Sequence, residues 1–392
     1  KKEICDKIFM RLIPGLIGLK ISLFLILIFS SNSFGEEKNV EDFSDSSEVL
    51  SSALIEKYSL LKFLNSSDWI HNKKNYYNQI SKTIALDEKI GDSEIEKIIL
   101  KRFRSQWERF SDDAMEKLSN DVFNGWNNSR INKDLSIREI YSTSEKNVKF
   151  SVFQYDGNNS LKFLIYLIHR NEIMIEDLDL VVLNVLEGKG WSEFTSTYAK
   201  VFPKAFDPKI DINLHDPESF DSNRRMFENQ DWGMAYFSPR GIGALDSIDG
   251  SPITAKYLKK LKLSGQSLEE MQVFDIIRSV NAIRLVEGMK EVPFWIQSND
   301  NMSANVLYAS LYMNNIKRID LHNLPESHAK GPKYIGMSNF IDVPHCLALA
   351  VQKTRVILYQ QSSDYPPFAK NVIDVMNFKE KSLSVREALK FD

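Results

Sequence analysis

No charge of one sign dominates this chain: 50 Lys and Arg stand against 53 Asp and Glu, a formal net charge of -3. The lysines are scattered rather than banked on one face, so nothing electrostatic favours a nucleic-acid partner. Cysteine is almost absent. Cys5 and Cys346 are the two present, and loss of an N-terminal export segment would leave Cys346 alone, which excludes an internal disulfide in the mature chain. Metal-ligand spacing is also lacking: His322 and His328 flank Leu324-Pro325 without a neighbouring carboxylate or cysteine set, and neither a metal nor a cofactor is expected. Gly241-Ile242-Gly243 lacks the third glycine of a dinucleotide-binding turn and opens no evident helix.

What is present is an ordinary globular composition. With 392 residues, 43% hydrophobic and 26% charged, the chain can bury one large core. Its first part reads as an address. Arg11 and Lys20 precede the apolar run Ile21 to Phe29, and the stretch from Ser30 to Gly35 ends in small residues before Glu36. This order is that of a secretory signal peptide over residues 1–35, with Met10 as the plausible start and 1–9 as upstream sequence. A retained membrane anchor is the competing reading, but Pro14, Gly15, Gly18 and Lys20 interrupt the span. After cleavage no membrane association is expected, and the location is periplasmic or secreted.

Residues 36–145 read as a helical N-terminal extension. Asp42 to Ser52 is acidic and Ser-rich, a tether, after which 54–64, 95–110 and 114–126 have amphipathic helical spacing. Trp69, Trp107 and Trp126 suit either helix packing or a carbohydrate platform, and packing is the favoured role.

From 146 to 392 the pattern changes. Segments 148–155 and 161–168 form a hairpin around Asp156-Gly157-Asn158-Asn159. A buried-type strand at 178–186 leads through Glu187-Gly188-Lys189-Gly190 into a helix at 191–201, and 232–237 is another strand, ending in Ser238-Pro239-Arg240-Gly241. Ser267 and Glu270 make a capping box for the next helix, and Gly288 is a natural terminator. Strands at 316–321, 356–359 and 383–386, with helices at 346–351 and 368–376, complete the series. Strands alternating with helices predict a mostly parallel, doubly wound α/β sheet covered on both faces.

The most informative stretch is Val292 to Met313, where an apolar run breaks at Ser298-Asn299-Asp300-Asn301 and resumes at once with helical spacing. In a doubly wound sheet, a strand, sharp turn and helix of this kind form a nucleophile elbow, whose catalytic form is G-x-S-x-G. Here the frame reads Ser298, Asp300, Met302.

Together with FSPRGIG and GQSLEEMQVFDIIRSVNAIR, which supply Arg240-Gly241, Asp275 and Arg278, this stretch resembles the acetyl xylan esterase and dienelactone hydrolase branch of the α/β-hydrolases. The resemblance covers about Val148 to Leu389 and extends to exported planctomycete-type hydrolase-like proteins, some of which have lost the elbow serine. It implies an α/β-hydrolase fold and a triad running nucleophile, acid, histidine. Asp300 stands at the nucleophile position and Asp364 at the acid position. A carboxylate nucleophile is chemically feasible, although capping of the following helix by Asp300 or Asn301 is the favoured reading. No histidine follows His345, so the base expected beyond the acid is missing, and His328 is the remaining candidate. Gly188, Gly190 and the amide of Asn301 stand where the resemblance places an oxyanion hole. The resulting expectation is a catalytically degenerate module that binds a small-molecule or carbohydrate ester ligand or a partner. The alternative is an active carboxylic ester hydrolase acting on acetylated polysaccharide.

Overall fold

Two residues with positive φ, Lys146 at 49° and Asn147 at 64°, open the sheet. They form a two-residue turn of the type whose twist matches that of the strands it joins, linking β1 (Ile137–Glu145) to β2 (Val148–Asp156). The chain is described by a computed structural model over residues 57–83, 91–124, 126, 135–157, 161–208, 210, 215–245, 247–248, 251–252, 255–360 and 367–388. The predicted export segment and Asp364 lie outside the described residues.

β2 pairs antiparallel with β3 (Lys162–Arg170), as the hairpin pattern predicts. β3 in turn pairs antiparallel with β5 (Trp232–Phe237), which lies beside β4 (Leu180–Val185). A small hairpin of β6 (Ser247–Ile248) and β7 (Ser251–Pro252) stands apart. Next come β8 (Phe294–Asn299), β9 (Ile316–His322), β10 (Arg355–Gln360) and β11 (Leu383–Glu387), parallel to β4 and β5. The nine-stranded order is β1-β2-β3-β5-β4-β8-β9-β10-β11. All six parallel strands therefore end at one edge, where an open α/β sheet forms its binding crevice.

The helices are α1 (Trp69–Thr83), α2 (Asp92–Lys117), α3 (Gly188–Tyr198), α4 (Pro217–Asn229), α5 (Ala255–Leu263), α6 (Leu268–Ile283), α7 (Asp300–Ser310), α8 (Val343–Ala350) and α9 (Pro367–Met376). On one sheet face Val181, Leu183, Phe294, Ile296, Ile319, Leu321, Val356 and Leu358 join α6 to α9 in a single core. The other face, over β2 and β3, packs Phe150, Tyr166 and Ile168 against Phe194 and Tyr198 of α3 and Phe220 and Phe227 of α4.

The first core also takes in Trp69, Trp107 and Phe110. Trp107 lies 5.9 Å from Phe368, and Trp126 donates to the Glu270 carbonyl at 3.1 Å. All three tryptophans at 69, 107 and 126 are buried, so they serve packing and offer no carbohydrate platform. The expected boundary near 145 is accordingly not a break in packing: α1 and α2 close the same core as the sheet, whose first strand begins at Ile137. The two helices expected at 95–110 and 114–126 are one, α2, followed by a π turn over Leu118–Val122. α4 was not foreseen. Its signals were Asp216, whose side chain accepts from the Ser219 amide at 3.0 Å, and Pro217 in the first turn.

Candidate functional site at the carboxyl edge

β8 turns into α7 at Asp300, whose φ is 51°. Left-handed backbone crowds Cβ against the carbonyl and costs an ordinary L-residue about 1–2 kcal/mol; Asp tolerates it better than most. The strain matters because it lifts the side chain clear of the sheet, and Asp300 is exposed. The expected capping role is not what the geometry shows. The N-cap is Asn299, its side chain makes no capping bond, and the Asp300 carboxylate has no hydrogen-bond or ion-pair partner among the described residues. α7 thus begins with first-turn amides, that of Asn301 included, which no side chain caps.

Ser298 faces the opposite way. Strand alternation sends it to the buried face, where its hydroxyl donates to the Val185 carbonyl at 2.7 Å. A hydroxyl committed to a backbone acceptor inside the sheet is not a nucleophile.

The glycine turn after β4 is rearranged in a similar sense. Glu187 caps α3, taking the Lys189 and Gly190 amides at 2.6 Å each. The Gly190 amide, expected as an oxyanion donor, is therefore satisfied by a carboxylate, and Gly188 is the first residue of α3. Asn301 keeps a first-turn position; Gly190 does not act with it.

His328 is not at the edge either. Its Nε2 lies 2.8 Å from the Tyr308 hydroxyl and its amide donates to Asp342 at 2.8 Å. Eight residues separate Asp300 from Tyr308 along α7, an axial rise of about 12 Å. His328 thus belongs to a buried cluster behind the elbow, where burial pushes its imidazole below the ordinary value against the opposing charge of Asp342. His345 lies in the same cluster. As expected it starts a helix: its Nδ1 accepts from the Asp342 amide at 3.2 Å in the capping box of α8.

The histidine that does reach the edge is His322, last residue of β9 and register partner of Asn299. It stacks on Tyr359 of β10 with centroids 4.3 Å apart and planes 5° from parallel. Burial lowers its pKa, while the charges of Asp320 and Asp300 raise it. Sequence reasoning weighed it only beside His328, as a weak metal pair, and gave it no catalytic role, because the triad order directs attention downstream of the acid. The available signal was its place just after a predicted strand.

The Arg240-Gly241 and Asp275 motif is a clamp. Arg240 meets Asp275 bidentately, Nε at 2.8 Å and Nη2 at 2.6 Å, and the Arg240 amide also donates to Asp275 at 3.1 Å. Both side chains are 1% exposed. Burial opposes the Arg240 charge, but the Asp275 carboxylate outweighs it and holds the guanidinium above its usual pKa. From the Arg240 carbonyl a buried chain runs through Gln272 (2.9 Å) and Asn305 (3.0 Å) to Tyr334. It ties the loop after β5 to α6, α7 and the segment carrying His328. Arg278 donates to the Asp156 carbonyl at 2.9 Å.

No family model and no curated protein matches the chain. Among solved structures, a Bacteroides fragilis protein provisionally assigned as an acetyl xylan esterase aligns with a TM-score of 0.54 and 8% identity, over 73% of this chain and 76% of that one. The chain has the α/β-hydrolase fold. A glucuronoyl esterase from Solibacter usitatus (TM-score 0.48, 10% identity, 72% of this chain and 88% of that one) and acetyl xylan esterase 1 from Thermoanaerobacterium sp. JW/SL YS485 (TM-score 0.44, 9% identity, 72% and 87%) align over similar shares. In an α/β-hydrolase the elbow follows the strand at the centre of the sheet, and β8, fifth of the eight strands from β2 onward, holds that place here. Asp300 opens the helix that follows β8, and the expected acid, Asp364, lies outside the described residues.

Proposed function

We propose that this is an exported, esterase-related α/β-hydrolase-fold protein. In this reading it binds an ester-bearing small molecule or carbohydrate at the carboxyl edge and lacks the serine acyl-enzyme route. One observation carries it: the strained elbow position is occupied by the Asp300 carboxylate, while the nearest serine, Ser298, is bonded into the sheet. Export rests on the order of charge, apolar run and small residues in 1–35. Among the described residues no helix is long and apolar enough to cross a membrane.

A serine hydroxyl is a weak nucleophile near neutral pH and needs a base within hydrogen-bond reach. The test is active-site titration of the full chain with p-nitrophenyl acetate and with a fluorophosphonate. The reading requires no stoichiometric burst and no serine labelling, and it requires that Asp300→Ser alone create neither. Loss of a triad member commonly costs about four orders of magnitude or more, so turnover at the level of a serine esterase in either protein would refute it.

A further inference from the structure

The edge holds two polar groups with unused bonding capacity. The Asp300 carboxylate and the ring nitrogens of His322 have no hydrogen-bond partner among the described residues, and the two residues cap adjacent parallel strands, with Asn299 and His322 in register. Neighbouring strands lie about 4.8 Å apart, so side chains leaving their carboxyl ends share one small region. Asp300 acts electrostatically on His322.

The imidazole is also fixed in place. Its ring lies flat on Tyr359, whose hydroxyl accepts from Arg318 and Arg386 at 3.3 Å each. Asn323, next in sequence, donates its amide to the Tyr359 carbonyl at 2.9 Å. Arg318 is itself engaged bidentately by Asp320, which leaves Asp300 as the carboxylate of this group without a cation. A ring pinned through its face and its backbone, with neither nitrogen hydrogen-bonded among the described residues, is suited to proton transfer.

We propose that Asp300 and His322 are a water-activating pair, the carboxylate orienting a water molecule and the imidazole taking its proton as the oxygen attacks an ester carbonyl carbon. This rests on the reading of the elbow given above. The step balances without an enzyme-bound intermediate. Water adds to the carbonyl, its proton moves to His322, the tetrahedral species collapses with cleavage of the bond to the alcohol oxygen, and the proton passes to the departing oxygen or to solvent. The first-turn amides of α7, Asn301 included, which Asn299 leaves uncapped, are the donors open to the developing oxyanion. Turnover of this kind is slow beside a serine triad, because attack by water replaces attack by a positioned hydroxyl, and it shows no burst.

The experiment uses the full chain and p-nitrophenyl acetate. Burst-free hydrolysis above buffer is expected, falling about 100-fold or more in His322→Phe, a change that keeps the stack on Tyr359 and removes the base. In Asp300→Asn the rate also falls. There the His322 titration, followed by imidazole NMR, moves to lower pH, because a charge that raises its pKa is gone while Asp320, Arg318 and Arg386 remain. No hydrolysis above buffer, or an unchanged rate in His322→Phe, overturns the pair and leaves the reading of the elbow standing. A stoichiometric burst overturns that reading and the pair with it.

Discussion

Acid should selectively remove a calculable part of this protein's stability through His345. The ring is buried between Phe110 and Phe368, with centroids 6.1 and 4.6 Å away. Its Nδ1 accepts the Asp342 amide, so the tautomer carries its proton on Nε2, which has no partner among the described residues. Protonation would set an N–H against that amide and put a charge that Asp342 only partly compensates into a mostly apolar site. Burial accordingly pushes the pKa from 6.5 down to about 4, against the opposing influence of Asp342.

The sign follows from linkage. The folded pKa is below the unfolded one, so the unfolded chain takes up the proton first, and stability is lost as pH falls from about 6.5 to about 4. At roughly 1.4 kcal/mol per pKa unit, the full loss is about 3.5 kcal/mol, of which about 3 kcal/mol is reached by pH 4. Urea unfolding of the native protein and of His345→Asn, at steps between pH 7.5 and 4, isolates this contribution, because carboxylate titrations common to both cancel in the difference. The stability advantage of the native protein should shrink by about 3 kcal/mol across that window. A gap that stays constant with pH would show that the imidazole does not titrate there and that its burial has been misjudged.

Asp275→Asn should lower stability by about 3–5 kcal/mol, because it leaves the Arg240 guanidinium buried without its counter-charge; a loss under 1 kcal/mol in urea denaturation would contradict the clamp. Asp300→Gly should raise the unfolding midpoint, by about 1 kcal/mol in free energy, since glycine takes a φ of 51° without strain, and a destabilised variant would mean that the carboxylate holds the turn together. Ser298→Ala should cost about 1 kcal/mol for the lost bond to Val185 and leave ester turnover unchanged. N-terminal sequencing of protein recovered outside the cytoplasm should read from near Glu36; an intact Met10 in a soluble cytoplasmic fraction would be incompatible with export.

Much of the fold was legible before any coordinate, because strand and helix periodicities are local. The strand 232–237, the capping box of Ser267 and Glu270, and a strand-to-helix transition within 298–301 were all placed by residue order and patterning, and the structure has them there, the last at 299–300. The parallel sheet with Asp300 at its carboxyl edge follows from the same alternation through right-handed crossovers. α4 escaped because its apolar stripe is thin in a mostly polar sequence, and α5 because it is short and four of its nine residues are lysines.

The site was legible only as residue types. Sequence identified Asp300 as the elbow residue and flagged the glycine turn, but hydrogen-bond direction is a tertiary property. Ser298 is committed to Val185 across the sheet, and Glu187 closes the Gly190 amide. His322 meets the elbow because β9 lies beside β8, and His328 misses it because its loop folds back on Tyr308. Local patterning decides which face a side chain leaves from. Which strand lies alongside, and therefore which imidazole stands beside which carboxylate, is settled only when the whole sheet closes over one core.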